Sequence, residues 1–115
     1  GYRSGRRRHH PAPMIIYNVT VNVDADVAED WLRWMHSVHV PEVMATGLFL
    51  DSRILRVLAE EDGGLTYAVQ YTCADMATYE RYRDEHAPRL QAETQKRYGG
   101  RFAAFRTLLQ VLHTA

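Results

Sequence analysis

The sequence predicts an α+β domain in the order β-α-β-β-α-β, the split β-α-β arrangement, and three observations carry that prediction. Residues 14–23, MIIYNVTVNV, and 65–73, LTYAVQYTC, alternate apolar and polar side chains with the period of half-buried strands. Two stretches of helical spacing, around Val27 to Val38 and Met76 to Leu90, each follow such a run, and each contains or leads into His-x-Pro. A repeated helix between strands suggests two related halves, and right-handed crossovers then give a four-stranded antiparallel sheet with both helices on one face.

Taken in order, the first strand places Ile15, Tyr17, Val19, Val21 and Val23 on the face that helices should cover, and Ile16, Asn18, Thr20 and Asn22 on the other. Asp26, with Glu29 three residues on, reads as the cap of the first helix. Val27, Trp31, Trp34 and Val38 form its apolar stripe. Pro41 removes a backbone donor and disfavours the α conformation at Val40, so a kink or break is expected there, then a short turn from Glu42 to Ala45 and a stop at Gly47. Leu48 to Glu60 reads as the second strand. Glu61-Asp62-Gly63-Gly64 is a hairpin turn into Leu65–Cys73, which turns Leu65, Tyr67, Val69 and Tyr71 one way and Thr66, Ala68, Gln70 and Thr72 the other. Asp75 caps the second helix, whose stripe of Met76, Tyr79, Tyr82, His86 and Leu90 runs through Pro88 to a stop at Tyr98-Gly99-Gly100. Phe102 to Leu112 is the last strand.

The 115 residues form one domain over 14–113, with no segment apolar enough to span a membrane. The single cysteine, Cys73, has no internal disulfide partner, which points to a reducing, cytoplasmic location. Of 14 basic side chains four lie in residues 1–13, so residues 14–115 carry ten against 14 acidic ones, a net of four negative. The arm, GYRSGRRRHHPAP, reads as disordered or as an extension not native to the domain, with Met14 as the domain's start. An acidic body without stacking aromatics on the open sheet face argues against nucleic-acid binding. That open face, half polar, would stay wet in a monomer or be shared between two copies, and a homodimer is expected.

The arrangement resembles the dimeric α/β-barrel superfamily of ferredoxin-like proteins, which includes EthD-type proteins and small monooxygenases of antibiotic biosynthesis. Tyr82-Arg83-Asp84-Glu85-His86-Ala87-Pro88 is similar to the aromatic, acidic and His-x-Pro run of EthD-like helices, and Trp34 to Pro41 is a looser copy. A closer similarity is to a small bacterial family known as a domain of unknown function. Its members begin much like MIIYNVTVNV and continue with W-x-x-W-M, H-x-P-E-V and A-T-G-L-F, here Trp31–Met35, His39–Val43 and Ala45–Phe49. The likeness runs on through EHAPRL, RYGGRF and AFRT, covers Met14 to Leu112, and implies the barrel fold without an activity.

Seven residues form the candidate ligand-binding set: His39, His86, Trp34, Tyr82, Asn18, Gln70 and Arg106. His39 and His86 sit where prolines free backbone groups. They would either cap the new helical turn or stand at the entrance of a pocket as proton-transfer groups, and the structural role falls more heavily on His86, which shares a stripe with Tyr82 and Leu90. Trp31, Trp34, Tyr79 and Tyr82 either line an aromatic pocket or fill the core, and Arg53, Arg56 and Arg106 are strand cations able to meet a carboxylate or phosphate. His36 and His39, three apart, would share a helical face, but helical zinc pairs more often lie four apart beside an acid; no metal and no cofactor is expected. Phosphate-cradling glycine loops and nucleophile elbows are absent from the sequence. The first functional reading is therefore a homodimeric barrel that binds a small organic or aromatic molecule in a half-polar cavity. The alternatives are a cofactor-independent monooxygenase- or cyclase-like enzyme using His39 or His86, and a ligand-sensing or interaction module, so enzymatic activity is left open.

Overall fold

A run that alternates apolar and polar side chains from Tyr17 onward makes β1, Ile15–Val23, the strand on which the domain is assembled. The structure, a computed structural model, describes residues 13–59 and 63–115; the basic arm, Pro13 apart, lies outside the described residues. After β1 come α1 (Ala25–Trp34), a π-helical turn (Met35–His39), α2 (Val40–Met44), β2 (Asp51–Arg56), β3 (Leu65–Cys73), α3 (Met76–Glu85), α4 (Ala87–Tyr98) and β4 (Phe102–Gln110). The strands form one antiparallel sheet in the order β2-β3-β1-β4, the ferredoxin-like arrangement. One hairpin, β2–β3, and two helical crossovers, β1 to β2 and β3 to β4, make up the connections.

Period-two alternation decides which residues meet the helices. Tyr17, Val21 and Val23 of β1 and Tyr67, Val69, Tyr71 and Cys73 of β3 are buried with Trp31, Val43, Tyr82, Leu90 and Tyr98 from the helical layer. Tyr17 lies opposite Tyr71 across the β1–β3 ladder, and Val19 lies opposite Arg106 across β1–β4. The other sheet face carries Asn18, Thr20, Gln70 and Arg53, joined by side-chain hydrogen bonds. Phe105, Leu109 and Leu55 on that same face are exposed, Phe105 at 64%.

Several boundaries differ from expectation. Asp26 does not cap α1: the helix starts at Ala25 after Asp24, and Asp26 instead pairs with Arg101, which also holds Asp24. The second strand is shorter than Leu48–Glu60 because only Asp51–Arg56 pair with β3, flanked by single ladder bonds from the Leu50 and Val57 amides. Past them the chain leaves the sheet edge, where Leu58 is exposed. The final strand stops at Gln110, two residues short of Leu112, where its pairing with Ile15 ends. Gly64 closes the hairpin with φ +71°, and a Cβ there would lie 2.7 Å from the Val23 carbonyl, so the site demands glycine.

The two His-x-Pro segments are accommodated differently. Val40 keeps α-helical angles, and its amide donates to the Met35 carbonyl five residues back, so the chain stays helical up to Pro41 and does not break before it. Widening the preceding turn to π geometry moves the carbonyl that the proline ring would otherwise strike. At Pro88 the helix does divide: His86 takes φ −127°, ending α3 and placing Pro88 in the first turn of α4, where a missing amide costs nothing.

Candidate functional site

Between the helices and the covered face of the sheet lies a cavity of about 490 Å3. Its sheet wall is built by Tyr17, Val19 and Val21 of β1, Val69 and Tyr71 of β3, and Phe102, Ala104 and Arg106 of β4; Trp31, Met35, His39, Tyr82 and Leu90 face them from the helical layer. This is ordinary ligand-pocket size, and the lining mixes aromatic and aliphatic side chains with polar ones, including Gln91, Thr94 and Gln95 of α4.

His39 reaches this cavity because of the π turn. Residues five apart on an uninterrupted α-helix point about 140° away from each other, yet His39 stacks on Trp34 with ring centres 5.1 Å apart and planes 29° from parallel. Its Nδ1 lies 3.5 Å from the Thr94 hydroxyl of α4. Burial, helped by the nearby Arg106 charge and opposed by Glu93, pushes the imidazole pKa down to about 4, so the ring is neutral at physiological pH. The same turn separates the two histidines: His36 is exposed and borders a shallower groove with Leu32, Ile54, Arg56 and Tyr67. Among the described residues no three His, Cys, Asp or Glu side chains group to hold a metal.

The Arg106 Nε donates a 3.1 Å hydrogen bond to the Tyr17 hydroxyl. Tyr17 is the hub of an aromatic cluster, 6.0 Å from Tyr71, 5.7 Å from Tyr82 and 6.3 Å from Phe49. Tyr71 is 2% exposed, and its buried hydroxyl has no hydrogen-bond partner among the described residues. Burial, with Tyr82 and Tyr17 beside it, drives its pKa above the ordinary phenol range and keeps it protonated; burial does the same at Tyr82.

Of the seven candidates, the structure brings His39, Tyr82 and Arg106 together in the cavity. Trp34 stands behind His39, packed edge-on against Tyr98 at 5.5 Å, and supports the ring without lining the space. Asn18 and Gln70 lie on the opposite face of the sheet, where the Gln70 amide donates to Asn18 over 3.2 Å and accepts from Arg53. His86 is half-buried outside the cavity, its Nδ1 3.3 Å from Arg89. Neither histidine side chain caps a helical turn, contrary to the structural role expected of them, since neither ring bonds the backbone freed by its proline. Tyr17, Tyr71 and Thr94 were not candidates. Alternation placed the two tyrosines on the covered face, where an aromatic ring reads as core, and nothing in the sequence marks Thr94.

Over residues 14–112 the chain matches the family described as Domain of unknown function (DUF4286), and it belongs to that family. No curated protein matches it. Among solved structures it is similar to an EthD-like protein from Ralstonia eutropha JMP134, with TM-score 0.68 and 13% identity over 90% of this chain and 96% of the other. It is also similar to SnoaB, a cofactor-independent oxygenase from Streptomyces nogalater, with TM-score 0.64 and 13% identity over 90% and 97% of the two chains. A dimeric ferredoxin-like protein from an uncultured marine organism aligns with TM-score 0.59 and 16% identity over 90% and 99%. At these identities the likeness shows the ferredoxin-like fold shared by all three.

Proposed function

We propose that this protein binds a small organic molecule in the cavity between its helices and its sheet, and that it works as a homodimer. The cavity itself carries the reading: about 490 Å3 of space, walled by aromatic and aliphatic side chains, with His39, Arg106, Gln91, Thr94 and Gln95 as polar features. Dimerisation is supported by the open sheet face, where exposed Phe105, Leu109 and Leu55 flank the Asn18–Gln70–Arg53 hydrogen bonds, and by the dimeric description of one neighbour of the same fold. A cytoplasmic location belongs to the same reading, supported by the buried, unpaired thiol of Cys73.

Trp31 lines the cavity and Trp34 stacks on His39 at its wall, so the tryptophan fluorescence of the protein reports on it. Titration with one- and two-ring aromatic molecules should change the emission saturably, and light scattering should give twice the chain mass. A chain-length mass at micromolar concentration would remove the dimer. A second reading, a cofactor-independent oxygenase- or cyclase-like enzyme, is favoured by one observation: His39 presents a neutral imidazole, a competent proton acceptor, to the cavity. His86 lies outside that space, which leaves His39 as its proton-transfer group.

A further inference from the structure

Resting on the reading of the cavity as a ligand site, we propose that its ligand is an organic monoanion, a carboxylate on a one- or two-ring apolar body, with the carboxylate held by Arg106 and the Tyr17 hydroxyl. Among the described residues Arg106 is the one permanently charged residue in the cavity wall, and no Asp or Glu lines it. Among the described residues its guanidinium makes no ion pair, and its side-chain hydrogen bond goes from Nε to the neutral Tyr17 hydroxyl. That bond orients the planar group and leaves both Nη donors for a carboxylate, the geometry arginine matches best. The Tyr17 hydroxyl, accepting from Arg106, keeps its own proton to donate. His39, neutral in this environment, adds no second positive charge, so the site carries a single positive charge and suits a single negative one.

The sheet register sets the size and polarity of the ligand. Along β4 the wall runs Phe102, Ala104, Arg106, facing Val23, Val21 and Val19 of β1 in turn. Apolar surface therefore extends from Phe102 and ends at one charge about 14 Å away along the strand. Arg106 is itself exposed, which puts the charge at the cavity mouth and the apolar walls inside. An inorganic anion would leave those walls unfilled, and a neutral hydrocarbon would leave the guanidinium without an acceptor.

The test compares an acid with its neutral isostere, 2-naphthoate and 2-naphthamide, with benzoate and benzamide as smaller probes, at neutral pH and by tryptophan fluorescence. An acid should bind about tenfold or more tighter than its amide. Arg106→Gln should abolish that preference by weakening the acid far more than the amide, and Arg106→Lys should keep part of it; thermal melting verifies that both variants are folded. Equal affinities for acid and amide, or a preference that survives Arg106→Gln, would overturn the anion assignment and leave the cavity as a site for neutral molecules. Binding of none of the four probes would remove the cavity reading and this proposal with it.

Discussion

Tyr71→Phe and Tyr98→Phe make the same chemical change at two buried positions, and the structure assigns them opposite effects on stability. Tyr71 sits in the middle of the sheet, 5.2 Å from the Phe49 ring, and its hydroxyl has no partner among the described residues. A buried hydroxyl without a hydrogen bond costs roughly 1–3 kcal/mol relative to its solvated state. Deleting one oxygen leaves a void smaller than a methyl group, so Tyr71→Phe should stabilise the fold by about 1–2 kcal/mol. For a domain of this length that raises Tm by roughly 4–8 °C. The Tyr98 hydroxyl instead donates to Asp30 at 2.6 Å and accepts from the Arg97 Nε at 3.1 Å, tying the end of α4 to α1. Tyr98→Phe should therefore lower Tm, by about 1–2 kcal/mol of stability with Asp30 partly solvated. Two-state thermal melts of the three proteins at neutral pH decide the matter. A fall in Tm for Tyr71→Phe would refute the assignment of Tyr71 as unpartnered, and a rise for Tyr98→Phe would refute the stabilising bridge to Asp30.

The pH dependence of stability should carry the signature of His39. Its folded pKa of about 4 lies below the unfolded value of 6.5, so the unfolded chain binds more protons between those limits. Stability should then fall by up to about 3 kcal/mol as pH drops from 6.5 to 4, a decline that His39→Gln lessens while other groups continue to titrate; a parallel decline in the variant would contradict the burial of a neutral ring between Glu93 and Arg106. His86→Ala should change stability by less than about 1 kcal/mol in denaturant melts, because the ring is half-buried and, among the described residues, its contacts are a hydrogen bond to the Arg89 side chain and a 6.3 Å stack on Tyr82. Phe105→Asp, on the open sheet face, should convert a dimer to a folded monomer in light scattering; a dimer of unchanged affinity would place the interface elsewhere.

Much of the architecture was legible because it depends on local periods. Alternation in 15–23 and 65–73 sorted every side chain of two central strands to its correct face, and Asp75 was readable as a cap, its carboxylate accepting from the Thr78 amide at 2.9 Å. Gly47 likewise ends its helix with positive φ, a conformation that glycine alone adopts without strain. These features need only the residue and its near neighbours.

The site was less legible because it depends on how distant segments meet. Identical His-x-Pro spelling produced a π turn at Pro41 and a helix break at Pro88, and only the packing around each segment distinguishes them. That difference sends His39 into the cavity and leaves His86 outside it. Arg53 and Arg106 look alike as cations within strands, yet register turns Arg53 to the open face beside Gln70 and Arg106 to the covered face beside Tyr17. By itself the sequence determined the order of elements, the covered and open faces of the sheet, and the stock of aromatic and basic groups. Tertiary structure decided which of those groups share one space, because a one-residue change in helical hydrogen bonding or strand register redirects a side chain without leaving a mark in the local pattern.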